Sequence, residues 1–275
     1  MKRKVYEQLL EWKNQEHHKP LILNGVRQCG KTYILKEFGR QEFDSLAYVS
    51  CDRNVNLQAI YSGVFDVARI IQGLSALTGV DIIPGKTLIF LDEVQAFPQA
   101  LEALKYFCED APEYHIVVAG SLLGVALHAG VSFPVGKVQT LRLFPMDFEE
   151  FLMAMGEEQL LKLMHSHDYE LMNAFHEKLK DLLRQYYYVG GMPEVVKAFA
   201  ENKLLNQVRS LQNEILSNYA SDFSKHAPSQ EVPRIDMVWQ SILGQLSKEN
   251  KKFVYGVLKK GGRAKEFELA IQWLV

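Results

Sequence analysis

Apolar and polar positions along the chain fall into two textures. Through the first half, short and nearly continuous apolar runs predict strands at residues 20–25, 45–51, 87–91, 115–120 and 138–144. Such runs suit strands covered on both faces, which leave no side for polar residues. Between them the spacing becomes helical, over residues 31–39, 64–77 and 98–110. The last of these sets Leu101, Leu104, Phe107 and Cys108 on one stripe. Strand and helix repeated in this way imply an α/β fold, a mostly parallel sheet with right-handed crossovers.

After Pro145 the texture turns helical, from Asp147 to about Ser224. The segment "DFEEFLMAM" opens on Asp147, three residues before an acid, as a capping box does. Gly190-Gly191-Met192-Pro193 predicts a turn and then a helix that starts on proline. The polar stretch "SKHAPSQEVPR" predicts a linker, with further helices at 234–247, 252–260 and 264–275. No internal repeat or low-complexity tract is present.

Composition narrows the class. The chain has 275 residues, 48% of them hydrophobic and 23% charged, which is the balance of an ordinary soluble globular protein. A net charge of −2 argues against wholesale coating of nucleic acid, though not against a local basic patch. The start, Met1-Lys2-Arg3-Lys4, runs into Val5, Tyr6 and Glu7 and not into an apolar stretch, unlike a secretory signal. No run is long and apolar enough for a membrane helix. Cys29, Cys51 and Cys108 are odd in number and lack paired spacing. The expectation is a reduced, cytoplasmic protein without a disulfide framework or zinc site.

One segment carries distinctive chemistry. Gly25-Val26-Arg27-Gln28-Cys29-Gly30-Lys31-Thr32 fits G-x-x-x-x-G-K-[ST], a match expected by chance in about one chain in a hundred of this length. It follows a predicted strand and opens a predicted helix. Glycines let such a loop wrap a phosphate with its N–H groups turned inward, and the next helix adds free N–H donors and a positive dipole end. Lys31 supplies a point charge for β- and γ-phosphates. Thr32 offers a hydroxyl to Mg²⁺. Tyr33, the next residue, is grouped with the loop.

"TLIFLDEVQ", residues 87–95, ends a buried strand on Asp92 and Glu93, where open α/β sheets place their ligands. Asp92 suits the hydration shell of Mg²⁺ and Glu93 the attacking water. Ser121, just past the strand in "YHIVVAGSLLG", can contact that water or the γ-phosphate. Lys137 and Arg142, in "FPVGKVQTLRLFP", are candidate cations for transition-state charge. No N-K-x-D motif appears, since "NKLL" at 202–205 lacks the acid, so adenine is expected over guanine and ATP/ADP over the guanine nucleotides.

With "LILNGVRQCGKT", "TLIFLDEVQ", "IVVAGSLLG", "FPVGKVQTLRLFPMDFEEFL" and "YYYVGGMPEVV" in this order, the chain resembles the bacterial and archaeal AAA-type P-loop ATPases that carry a C-terminal domain of unknown function. The resemblance implies an additional-strand P-loop NTPase core over residues 1–145, with a strand between those bearing the phosphate loop and Asp92-Glu93. It further implies a helical lid over 146–228 and a winged-helix-like segment over 229–275. Beyond that it implies a further C-terminal domain with some likeness to nucleases. The ending "AIQWLV" carries no helix stop, which agrees with sequence missing there. Lys31, Thr32, Asp92 and Glu93 would take the roles argued above, and Ser121 that of the first sensor. A homo-oligomer is admitted, but Lys137 stands where many AAA proteins place an arginine finger. Lysine lacks the planar bidentate fork, which counts against activation by a neighbouring copy.

Residues 248–265 hold Lys248, Lys251, Lys252, Lys259, Lys260, Arg263 and Lys265 against Glu249 alone before Glu266. This basic segment, with "GGRAKEFELAIQWLV" as a recognition helix, could approach DNA; a solvated helix face is the plainer reading.

Overall fold

A computed structural model describes residues 1–63, 65–120, 134–250 and 252–274. Five strands form one parallel sheet: β1 (Leu21–Asn24), β2 (Ser45–Ser50), β3 (Thr87–Asp92), β4 (His115–Gly120) and β5 (Gln139–Arg142), in the order β2-β3-β4-β1-β5. Strand β4 therefore lies between the strand that leads into the phosphate loop and the strand that ends on Asp92, as the resemblance implied.

Alternation within each strand feeds two apolar layers. Leu21, Leu23, Leu88, Phe90, Val117 and Ala119 face one way and pack with Val5, Leu9, Trp12, Ile34, Leu35 and Phe38. These come from α1 (Val5–Lys13) and α2 (Lys31–Glu42). Ile22, Ile89, Leu91, Ile116 and Val118 face the other way, onto Leu57, Leu74, Leu101, Leu104 and Phe107. That layer comes from α3 (Asn56–Ile60), α4 (Val67–Thr78) and α5 (Gln99–Asp110). A sheet covered on both faces is why the interiors of β1, β3 and β4 carry no polar residue, while the edge strand β5, Gln-Thr-Leu-Arg, keeps its polar positions partly exposed.

Parallel register brings all the carboxyl ends to one edge. Ser50 pairs with Asp92, and Asn24 pairs with both Gly120 and Arg142. Six helices follow: α6 (Phe148–Ala154), α7 (Glu158–Ser166), α8 (Tyr169–Ala174), α9 (His176–Val189), α10 (Pro193–Asn202) and α11 (Leu205–His226). Asp147 and Glu150 make the expected capping box at the start of α6, and Pro193 opens α10.

The chain divides into two compact units, residues 1–204 and 205–275. Helix α11, assigned from sequence to the lid, belongs to the second unit. Its Phe223 packs with Ile235 and Val238 of α12 (Val232–Leu246) and with Phe267 and Ala270 of α13 (Ala264–Leu274). The predicted linker shrinks to residues 227–231, because α11 runs on to His226 and α12 starts at Val232. The helix expected at 252–260 is only a 3₁₀ turn, Tyr255–Val257, interrupted by Gly256 and closed off by Gly261-Gly262. The described residues of this unit are helical and hold no strand, so a wing is not among them. No helix among the described residues is long and apolar enough to cross a membrane.

Candidate functional site

The loop leaving β1 is shaped by backbone contacts that exclude side chains. A Cβ at Gly25 would collide with the carbonyl oxygen of Leu143, just past β5, whose own N–H donates to Asn24 O at 2.7 Å. Gly30 sits at φ +95° as the N-cap of α2, and Gln28 takes a left-handed φ of 62°. These turns wrap the loop so that it ends at the amino terminus of a twelve-residue helix, a ready seat for an anion.

Lys31, on the first turn of that helix, reaches back into the loop. Its Nζ donates to Gly25 O at 2.7 Å and to Val26 O at 2.9 Å. The side chain is buried, and burial pulls its pKa below the ordinary lysine value, partly offset by the charges of Cys29, Glu93 and Asp92. Thr32 Oγ1 donates to Asp92 Oδ2 at 2.8 Å, so the loop and the end of β3 meet through the two residues expected to face Mg²⁺. A hydroxyl and a carboxylate at this separation are hard oxygen donors that suit a magnesium shell completed by water. Burial raises the pKa of Asp92, and the nearby Glu93 charge adds to the effect; the bonds from Thr32, the Glu93 amide and Tyr48 oppose it.

Glu93 lies in a left-handed conformation, φ 52° and ψ 43°, which is costly for a residue with a side chain. Its N–H donates to Asp92 Oδ1 at 3.0 Å, and its Oε2 accepts from Gln95 Nε2 at 2.5 Å. Two partners here went unassigned from sequence, Gln95 and Tyr48. The Tyr48 hydroxyl donates to Asp92 Oδ2 at 3.3 Å, and Lys36 Nζ lies 3.5 Å from the centre of its ring. Only the strand register, Ser50 opposite Asp92, could have hinted at Tyr48.

The other candidates scatter. Val26, Gln28 and Tyr33 are exposed, Arg27 is half-buried, and the Tyr33 hydroxyl bonds to Glu37 one turn on. Cys29 is fully buried, and burial raises its thiol pKa. Arg142 lies on the loop's edge of the sheet, opposite Asn24, and is exposed. Lys137 does not join them. It precedes β5 at the amino edge, where Lys19 Nζ donates to Gly136 O and Lys137 itself pairs with Glu109 at 2.9 Å. Parallel register puts that edge at the far end of the strands from the loop, so the structure does not bring Lys137 together with the other candidates of this chain. Ser121 lies outside the described residues.

Above the loop, Pro193 Cγ stands 3.8 Å from where a Gly30 Cβ would be. Gly191, in the turn before it, pairs with Met146 main chain to main chain: Met146 N donates to Gly191 O at 2.6 Å, and a Cβ on Gly191 would strike Met146 O. The Tyr186 hydroxyl donates to that same Met146 oxygen at 2.9 Å. From the other side Arg3, also buried, donates to Cys29 O, Phe144 O and Glu150 Oε1.

A loop of this geometry, ending on Lys31-Thr32 and closed by an acid from the strand two places away in the sheet, agrees with the comparison with known families. Residues 17–152 match an AAA domain. Residues 180–275 match a domain of unknown function, DUF8612. The AAA domain match spans every strand of the sheet and ends within α6. Among solved structures, a Walker-type ATPase of Pyrococcus abyssi superposes with a TM-score of 0.54 at 14% identity, covering 100% of this chain and 96% of that one. At that identity the likeness is one of fold: a parallel P-loop ATPase sheet between helices, followed by a helical C-terminal part. The Aeropyrum pernix ORC2 protein, solved as ADPNP–ADP complexes, gives 0.46 at 12% identity, covering 98% of this chain and 83% of that one. Drosophila ORC bound to DNA gives 0.42 at 12%, covering 98% and 84%. No curated protein matches the sequence.

Proposed function

We propose that the protein binds Mg·ATP at residues 25–32 and hydrolyses it. The contact of Thr32 Oγ1 with Asp92 Oδ2, beside a loop already holding Lys31 Nζ, carries this reading. Main-chain amides of the loop and the first turn of α2 hold the β- and γ-phosphates, with Lys31 turning from the loop carbonyls to the phosphate oxygens. Thr32 and Asp92 hold Mg²⁺, which neutralises charge between the phosphates when bound. Glu93, oriented by Gln95 Nε2, accepts the proton of the water that attacks the γ-phosphate. Arg142 is the described cation at the loop's edge that remains for the developing charge, and Ser121 keeps its sensor role as part of this proposal.

Lys31→Ala is expected to abolish ATP binding. Glu93→Gln is expected to keep ATP affinity while turnover falls by about a hundredfold or more. Calorimetric titration and phosphate release check both, and equal loss of affinity in the two variants would remove Glu93 from the water-activating role.

The basic segment supports a second reading, a nucleotide-gated switch whose C-terminal unit binds DNA. Lys252, Lys259, Lys260, Arg263 and Lys265 are all exposed there, while Lys251 lies outside the described residues. Affinity for duplex DNA measured with ATP, with ADP and without nucleotide, across a salt series, tests it. An unchanging affinity across the three nucleotide states would dispose of the switch.

A further inference from the structure

Arg3 was read from sequence only as part of a basic start, yet its side chain is among the most buried charges of the first unit. Each arm of its guanidinium has a different target. Nη1 donates to Cys29 O at 2.9 Å, Nη2 to Phe144 O at 2.6 Å and Nε to Glu150 Oε1 at 3.0 Å. The first target is the phosphate loop, the second the chain leaving β5, the third the cap of α6. The same Glu150 oxygen accepts from Lys4 N at 2.8 Å, which fixes the carboxylate against the start of α1.

We propose that Arg3 is a positioning residue of the anion seat: by holding the Cys29 carbonyl outward, it aims the Gly30 amide at the phosphate. The peptide joining Cys29 to Gly30 is planar and trans, so its C=O and N–H point in opposite directions. A carbonyl drawn toward Arg3, on the outside of the loop, turns the Gly30 N–H toward the concave side. Gly30, at φ +95°, has no side chain to resist rotation of that peptide, so an outside restraint decides which way it faces. Arginine alone suits the place. Its rigid fork serves two carbonyls and a carboxylate at once, whereas a lysine ammonium cannot span all three. The Phe144 and Glu150 contacts hold the fork in place, and the Cys29 contact transmits that placement to the loop.

The inference rests on the phosphate-binding reading of residues 25–32, and the test separates the two. ATP and ADP are titrated calorimetrically against the full chain in its parent, Arg3→Lys and Glu150→Gln forms, with unfolding midpoints recorded alongside. Arg3→Lys keeps the charge beside Glu150 but loses the fork, so it is expected to weaken both nucleotides by roughly tenfold. In turnover that loss is expected as a raised KM with kcat nearly unchanged, the mark of lost ground-state binding. Glu150→Gln keeps an acceptor oxygen for Arg3, so it is expected to lower the midpoint yet leave both affinities within about threefold of the parent. Affinities in Arg3→Lys that match the parent, or equal losses in the two variants, would overturn the inference and reduce Arg3 to a structural staple. A parent chain that binds no nucleotide would bring down the phosphate-binding reading and this inference with it.

Discussion

Asp92 is a carboxylate held out of water with three hydrogen-bond donors around it and a second acid next door. Burial holds its pKa above the usual carboxylate range in spite of those donors. The folded chain therefore binds this proton more tightly than the unfolded one, and the site's contribution to stability falls as pH rises past the unfolded value. Asp92→Asn removes the buried charge and leaves an acceptor for Thr32. We expect it to raise the unfolding midpoint at pH 7 by roughly 2–4 °C while magnesium-dependent turnover is lost, as scanning calorimetry and phosphate release would show. Residues of this kind were legible in the sequence because backbone geometry dictates them: a Gly25 that backs onto a carbonyl, a lysine and hydroxyl opening a helix, acids closing a buried strand. Arg3, Tyr48 and Gln95 were not. Arg3 and Tyr48 come to the site from 26 and 44 positions away in sequence, and nothing local marks them.

The central strands β1, β3 and β4 could be read to within a residue or two because both of their faces are apolar, a demand that a doubly covered sheet makes. Helix α1 was missed even though Val5, Leu9 and Trp12 carry its buried stripe, since a nine-residue helix behind a basic start gives little periodicity to read. At the amino edge of the sheet, α1, the approach to β1 and the start of β4 meet in an aromatic cluster. There His18 and His115 stack with centroids 3.8 Å apart, beside Trp12 and Phe43. Burial lowers the pKa of both rings, that of His115 from 6.5 to about 4 with its neighbour's charge adding to the effect. The fold thus holds them neutral. The stability this gives is fully present above pH 6.5 and is lost as pH falls toward about 4. We expect the unfolding midpoint to drop across that window, and the drop to be markedly shallower in His115→Phe. An equally steep decline in the variant would assign it to other groups.

At the scale of the molecule, the parallel sheet sorts residues between two edges, and linear sequence cannot show on which side of a strand's start or end a charge will serve. Lys137 and Arg142 lie five positions apart, yet β5 carries them to opposite ends of the sheet. Lys137→Ala is accordingly expected to leave ATP turnover within about twofold of the parent, and a tenfold loss would return it to the site. The division after Leu204 was equally hidden, because the helical pattern runs past it without a break in composition. Where Gly191 meets Met146, two stretches of main chain lie flush, with no side chain between them to give way. Such a seam cannot slide by degrees. It either stays shut or parts altogether, so any loosening of α10 from the strand exit would come as a discrete step, and a single methyl group at position 191 would act as a permanent wedge.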